Sequence, residues 1–376
     1  MSITRRSFSR AVAGAAALAA LPAVRAQGER LLLCQSAPFT GPAAQLGIQF
    51  HAGARLYFEQ ANAQGILRRP VELVKMDDGY EPDRCAENTR KLLNEDPLAL
   101  FAYVGTPTSL AALPLATASK TPFIAPYTGA MGLRQPFNRY AFHLRASYND
   151  ETALIVKQLA NVGMKKIAVF YQNDAYGKAG LEGVQLALAS HESKPVALAT
   201  VERNSVDVGA AVRTLVAAGP DAIVQIGAYK ACAAFIRQAR AAGYGGTFYN
   251  VSFVGTQALA DELGRDAAGV VVSQVVPSPY SPARPIAREF NEAVKKAGGE
   301  YQANFSSMEG YIAAKVVTEA LRRISGKPAR DNLVASLESL GSQSLGGFNI
   351  TLSPNDHAAS SFVELSMLTG DGRVRT

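Results

Sequence analysis

The sequence predicts an α/β protein built on two doubly wound parallel sheets. Three observations carry that prediction. From residue 31 to residue 276 short β-rich runs alternate with helical stretches. Several of the runs are apolar from end to end, the pattern of parallel strands covered on both faces. Behind a leader of 26 residues, 350 remain, long for one core and suited to two domains of ordinary size.

The leader comes first along the chain. Thr4-Arg5-Arg6-Ser7-Phe8 sets paired arginines ahead of an aromatic residue, an apolar run extends from Ala11 to Ala20, and Val24-Arg25-Ala26 precedes Gln27. A basic region, an apolar region and a small-residue site describe a secretory signal cut after Ala26. The paired arginines point to the twin-arginine route. The apolar run, about ten residues, falls short of the ~20 that a membrane anchor needs. The expected location of residues 27–376 is therefore the periplasm, as a soluble protein.

Strands are expected at 31–34, 71–76, 99–104, 123–126, 167–171, 196–201, 222–226, 247–251 and 269–276. Helices are expected between them at 51–63, 83–93, 109–119, 151–162, 178–189, 208–217 and 231–241. Gly65, Gly163, Gly219 and Gly243 follow four of these helices, where a left-handed residue closes the last turn. A Pro/Ser connector at 277–282 leads into helices at 285–296, 306–324 and 332–340, with few strands among them.

Composition narrows the function. The leader holds four arginines and no acid, so the net charge of +7 falls to +3 without it. No Lys/Arg block tracks a phosphate backbone, which argues against nucleic acid as a partner. Cys34, Cys85 and Cys232 leave two readings open, one disulfide with a free thiol or three buried thiols. The chain has no GxGxxG after a strand, no Walker A loop, no GxSxG, no HExxH and no CxxC. No cofactor, no metal and no enzymatic activity are expected. His51, His143, His191 and His357 have no ligand-like spacing and read as surface or structural. Asp77-Asp78, ahead of Gly79, reads as a solvated turn.

The candidate site lies at strand ends. Gly105-Thr106-Pro107-Thr108-Ser109 follows the run at 99–104 and opens a helix. Ligands of open α/β sheets bind outside the carboxyl ends of strands, and a helix N-terminus adds free N–H donors and partial positive charge. Hydroxyls beside it suit a carboxylate, although Thr108 or Ser109 could equally be a simple N-cap. Ala125-Pro126-Tyr127-Thr128-Gly129 repeats the theme at the next strand end. In the second half Asp174-Ala175-Tyr176-Gly177, Ile226-Gly227-Ala228-Tyr229 and Ser252-Phe253 put aromatic rings at strand ends, flat apolar walls with polar tips.

Further stretches add to these: Ser36-Ala37-Pro38-Phe39-Thr40-Gly41-Pro42 with Gly47, Asn62-Ala63-Gln64-Gly65-Ile66, Asp77-Asp78 with Pro82, Pro126-Tyr127-Thr128-Gly129-Ala130, and Arg237-Gln238-Ala239-Arg240-Ala241-Ala242-Gly243. In order and spacing, along nearly its whole length, the chain resembles the type I periplasmic solute-binding proteins of ABC transporters, in the branched-chain amino-acid-binding branch. The resemblance implies two lobes joined by three crossover strands and closing like a clamshell. Lobe one would comprise 27–145 plus 275–347, and lobe two 146–274 plus 348–376. It further implies that Thr106, Thr108, Tyr127, Thr128 and Gly129 hold a ligand carboxylate. Leu46 would lend a side-chain wall, and Tyr176, Tyr229, Ser252 and Phe253 would close from lobe two. The implied partners are a small-molecule carboxylate and the permease subunits of an ABC transporter, with the binding protein a monomer.

One departure bears on the ligand. The amino-acid-binding relatives offer an acid after the strand at 247–251, whereas this chain reads Val251-Ser252-Phe253-Val254. A buried ammonium without a counter-charge is costly. The expected ligand is a carboxylate with an apolar or aromatic body and no free α-amino group, such as an aromatic or keto acid. Glu309, Asp174 or cation–π contact with tyrosines remain alternative partners for an ammonium. An exported ligand sensor of the same fold is the alternative function. An exported α/β enzyme is disfavoured by the missing motifs.

Overall fold

The computed structural model describes residues 30–299 and 301–376, so the leader and its cleavage site lie outside the described residues. The first unit runs β1 (Leu31–Ala37), α1 (Ala44–Ala63), β2 (Val71–Asp77), α2 (Pro82–Asn94), β3 (Ala99–Phe101), α3 (Thr106–Ala118), β4 (Phe123–Ile124) and β5 (Ala141–Phe142). Its strands pair in the order β2-β1-β3-β4-β5, all parallel.

The second unit runs α4 (Tyr148–Asn161), β6 (Ile167–Gln172), α5 (Ala175–Ala189), β7 (Ala197–Val201), α6 (Gly209–Ala217), β8 (Ala222–Ile226), α7 (Tyr229–Ala241), β9 (Thr247–Asn250), α8 (Thr256–Leu263) and β10 (Val271–Gln274). Its parallel strands repeat the same winding, β7-β6-β8-β9-β10. Each sheet thus reverses its strand order beside its first strand, where α/β sheets leave a crevice. The chain then adds α9 (Pro285–Ala297), α10 (Phe305–Arg323), α11 (Arg330–Glu338), β11 (Gly341–Ser344), β12 (Asn349–Leu352), β13 (Glu364–Leu368) and β14 (Val374–Arg375).

α10 returns to the first unit and lies on α1. Two glycines permit the close approach: a Cβ on Gly53 would stand 1.7 Å from the Ser307 carbonyl oxygen, and one on Gly310 would stand 2.1 Å from that of Phe50. β11 and β12 form a two-stranded ribbon of their own, while β13 and β14 extend the second sheet on the antiparallel side of β10. The expected lobe boundary at 347/348 falls inside that ribbon, so from the tail only β13 and β14 join the second sheet.

The chain passes between the units three times, after β5, after β10 and after β12. The first and third passages are laced together: the His143 N–H donates to the His357 carbonyl and the Ala359 N–H to the His143 carbonyl, each at 2.8 Å.

Several local expectations change in the structure. β3 and β4 end earlier than their apolar runs, because Ala102 and Ala125 take positive φ of 62° and 55° and turn the chain out of the ladder. Gly65, Gly163, Gly219 and Gly243 do adopt positive φ. β5, α8 and the tail strands were not anticipated, being short and flanked by weak patterns. The three cysteines are free and buried. Asp78 is not solvated: it is fully buried and accepts hydrogen bonds from Ser36 Oγ at 2.8 Å and the Tyr80 N–H at 2.9 Å. Asp77 caps the loop after β1 through Phe39, Thr40 and Gly79. The pair is a structural pin. Among the described residues no helix is long and apolar enough to cross a membrane.

Candidate ligand site between the lobes

The carboxyl ends of both sheets meet, and the strand-end residues are buried there. On the first lobe, α3 starts at Thr106 rather than at 109, with Gly105 as N-cap at φ 101° and no side-chain cap. Pro107 has no N–H, and the Ser109 N–H already bonds the Gly105 carbonyl. The open donors of the first turn are therefore Thr106 and Thr108. The Thr106 and Thr128 hydroxyls lie 2.6 Å apart, so a single proton serves their shared bond and the other remains for a third group. Thr128 Oγ1 also accepts from the Ala130 N–H at 3.2 Å. Thr108 differs from both: its hydroxyl donates back to the Val104 and Gly105 carbonyls and fixes the turn.

Tyr127 and Gly129 flank that hydroxyl pair. The Tyr127 phenol pairs with Ser306 Oγ at 3.0 Å. Gly129 accepts from the Tyr148 N–H at 2.8 Å, and a Cβ there would stand 2.6 Å from that nitrogen, so only glycine seats Tyr148.

The second lobe contributes rings. Phe253, in the short turn Ser252–Val254, stands 4.4 Å from Tyr176, 5.6 Å from Tyr127 and 5.9 Å from Tyr80, centroid to centroid. Tyr176 begins α5 behind the Asp174 N-cap, and its ring meets Tyr148 at 5.5 Å. Leu46 reaches across to Gly255, where a Cβ would stand 2.5 Å from Leu46 Cδ2. Tyr229 opens α7 and is buried beside the backbone of Gln45. All ten expected residues thus lie on strand ends or helix starts that face the junction.

Buried charge completes the site. Arg145, on the first passage between lobes, is 1% exposed and lies 3.0 Å from Glu309 of α10 through Nε. Its Nη2 donates to Ser252 Oγ at 2.6 Å, and its Cζ sits 4.3 Å from the Tyr127 ring centre. Ser252 passes the contact on, donating from N and Oγ to Glu151, which Ser273 Oγ also reaches at 2.6 Å. Burial pushes the Glu309 carboxyl up to about 7 against the pull of Arg145. Burial raises Glu151 likewise, opposed by Arg145 and its three hydrogen bonds. Burial also works against the Arg145 charge, but Glu309 and its neighbours outweigh it and hold the guanidinium cationic. Asp174 is fully engaged by the Tyr176 and Gly177 N–H groups, Gln172 and Arg203.

At the rim a half-buried latch joins the lobes. Arg203 Nη2 lies 2.9 Å from Glu81, and Asn204 Nδ2 donates to Glu81 at 2.7 Å and to the Gly79 carbonyl at 3.0 Å. Tyr80, at φ 65°, holds its ring against Gly105 and its phenol 3.3 Å from Gln172.

Sequence reasoning missed Arg145, Tyr148, Tyr80 and Glu151. One signal was available: Ser147 and Asp150 form a capping box, and that Ser-x-x-Asp spacing places Tyr148 at the start of α4. Among the described residues no group of three or more His, Cys, Asp or Glu side chains could hold a metal.

The periplasmic binding protein family profile matches residues 35–372. The chain belongs to the type I periplasmic binding proteins, in the leucine/isoleucine/valine-binding family. A possible leucine/isoleucine/valine-binding protein from Rhodopirellula baltica SH 1 is 36% identical with a TM-score of 0.91, covering 94% of this chain and 98% of that one. Leu/Ile/Val-binding protein homolog 7 of Brucella suis biovar 1 (strain 1330) is 26% identical over 318 residues, 77% of this chain and 76% of its own. At 20% identity, which shows the fold alone, stand an R. palustris solute-binding protein in complex with benzoate and a Thermus thermophilus transporter protein with bound valine. Each has a TM-score of 0.81 and covers 92% of this chain and 95% of its own. Family and fold are those of substrate-binding proteins of ABC-type transporters.

Proposed function

We propose that the protein is the periplasmic substrate-binding component of an ABC importer. It captures a small carboxylate without a free α-amino group by closing its two lobes, and hands it to the permease subunits as a monomer without transforming it. The observation that carries the ligand reading is that every carboxylate at the junction already has a partner. Glu309 faces Arg145, Glu151 takes three hydrogen bonds from Ser252 and Ser273, and Asp174 caps α5. An ammonium arriving there would have to share a carboxylate that another group already holds, and an unpaired buried charge is costly. A carboxylate meets the opposite welcome at Thr106, Thr128 and the first turn of α3. The valine and benzoate of the two distant relatives mark the two alternatives that the test separates. Calorimetric titration with leucine, valine and phenylalanine against their 2-oxo counterparts decides between them. Tighter binding of the deaminated acids is expected; equal or tighter binding of the amino acids overturns the reading.

A further inference from the structure

We propose that Arg145 and Tyr148 form a second polar subsite, which takes a hydrogen-bond acceptor carried next to the ligand carboxylate, as in a 2-oxo acid. This inference rests on the carboxylate reading above and narrows it.

Two donors in the junction have no partner. Arg145 Nη1 and Tyr148 Oη are both fully buried and without a hydrogen bond, whereas Arg145 Nε, which also makes none, faces Glu309 at 3.0 Å. A buried donor left unpaired costs about 1–3 kcal/mol, more when charged, so such groups mark places where an occupant is wanted. A continuous run of aromatic contacts connects them. Arg145 lies over Tyr127, Tyr127 meets Phe253, Phe253 meets Tyr176, and Tyr176 meets Tyr148. This run of rings carries the two idle donors into the same buried junction.

The position relative to the carboxylate donors follows from Gly129. Tyr148 is seated on that glycine, one residue beyond Thr128. An acceptor bound by Tyr148 therefore lies close to a carboxylate bound by Thr106 and Thr128. A guanidinium only donates, so Arg145 Nη1 takes an oxygen and repels an ammonium, while the Tyr148 hydroxyl can donate to the same oxygen. A ketone oxygen vicinal to a carboxylate has that chemistry and that spacing.

The test is titration calorimetry with two matched pairs: 4-methyl-2-oxopentanoate against 4-methylpentanoate, and phenylpyruvate against 3-phenylpropanoate. The wild type is expected to favour the 2-oxo member by about tenfold or more, one to two hydrogen bonds' worth. Tyr148→Phe keeps the ring circuit and should lower only the 2-oxo affinity, collapsing the ratio within each pair. Arg145→Lys, which keeps the charge without the fork, should do the same and supplies the check if one variant misfolds. Equal affinity for both members of each pair in the wild type, or an equal loss of both in Tyr148→Phe, overturns the subsite while leaving the carboxylate reading intact. Failure of all four acids to bind while amino acids do would overturn both readings.

Discussion

Two arginine–glutamate pairs hold this protein together at its junction, and they differ in almost everything but residue type. Arg145–Glu309 lies under the lobes with side chains 1% and 9% exposed, while Arg203–Glu81 lies at the rim with 25% and 43% exposed. Water screens the rim pair, so its worth is small and depends on salt. The inner pair has lost its water and stands or falls with its partners. The inner pair organises the site; the rim pair adjusts how often the lobes stay shut.

The largest effect should come from breaking the inner pair on one side. Arg145→Met leaves the buried Glu309 without its ion-pair partner and should cost about 3–5 kcal/mol in chemical denaturation. Changing both, Arg145→Met with Glu309→Leu, should recover most of that loss. A single variant as stable as the wild type would show that the pair carries no such weight.

Next in size is Thr128→Val. A hydrogen bond to a charged group is worth about 1.5–3 kcal/mol, so ligand affinity should fall about ten- to a hundredfold. Calorimetry with unchanged affinity would remove Thr128 from the site.

The inner pair also sets a pH dependence. Glu309 is raised from its ordinary 4.5 to about 7, so the folded state holds its proton more tightly than the unfolded chain. Its contribution is fully present below pH 4.5 and is lost as pH rises through about 7. Plotted against pH, the melting temperature of the wild type minus that of Glu309→Gln should fall across that window. A difference that is flat, or rises, contradicts the assignment.

The smallest effect belongs to Arg203→Ala. Loss of a rim pair worth about 0.2–1 kcal/mol should weaken ligand binding no more than about fivefold, and the difference should fade at high salt. A salt-independent loss would place Arg203 in the inner network instead.

The same contrast explains what the sequence could reveal. Strands covered on both faces must be apolar throughout, so β6 and β8 stand out without any partner in view. Thr106 and Thr128 were legible because strand ends and helix starts are local features. Arg145 was not, since its partner Glu309 is 164 residues away and Ser252 is 107 away. An arginine destined for burial carries no local mark. Asp78 misled for the same reason: an Asp-Asp-Gly turn looks identical whether water or Ser36, 42 residues earlier, satisfies it.

The glycine-mediated contact of α10 with α1 has a consequence for how the chain is made. The first lobe lacks its final packing helix until residues 305–323 have emerged, whereas α4 to β10 of the second lobe form one unbroken stretch, 148–274. Domains fold as units as they are synthesised, and contacts distant in sequence close late. The lobe that comes second along the chain is therefore the one whose helices and parallel strands are all present first. Until α10 arrives, the first lobe exposes the small-residue face of α1 around Gly53, and a chain truncated before residue 305 would keep that face bare.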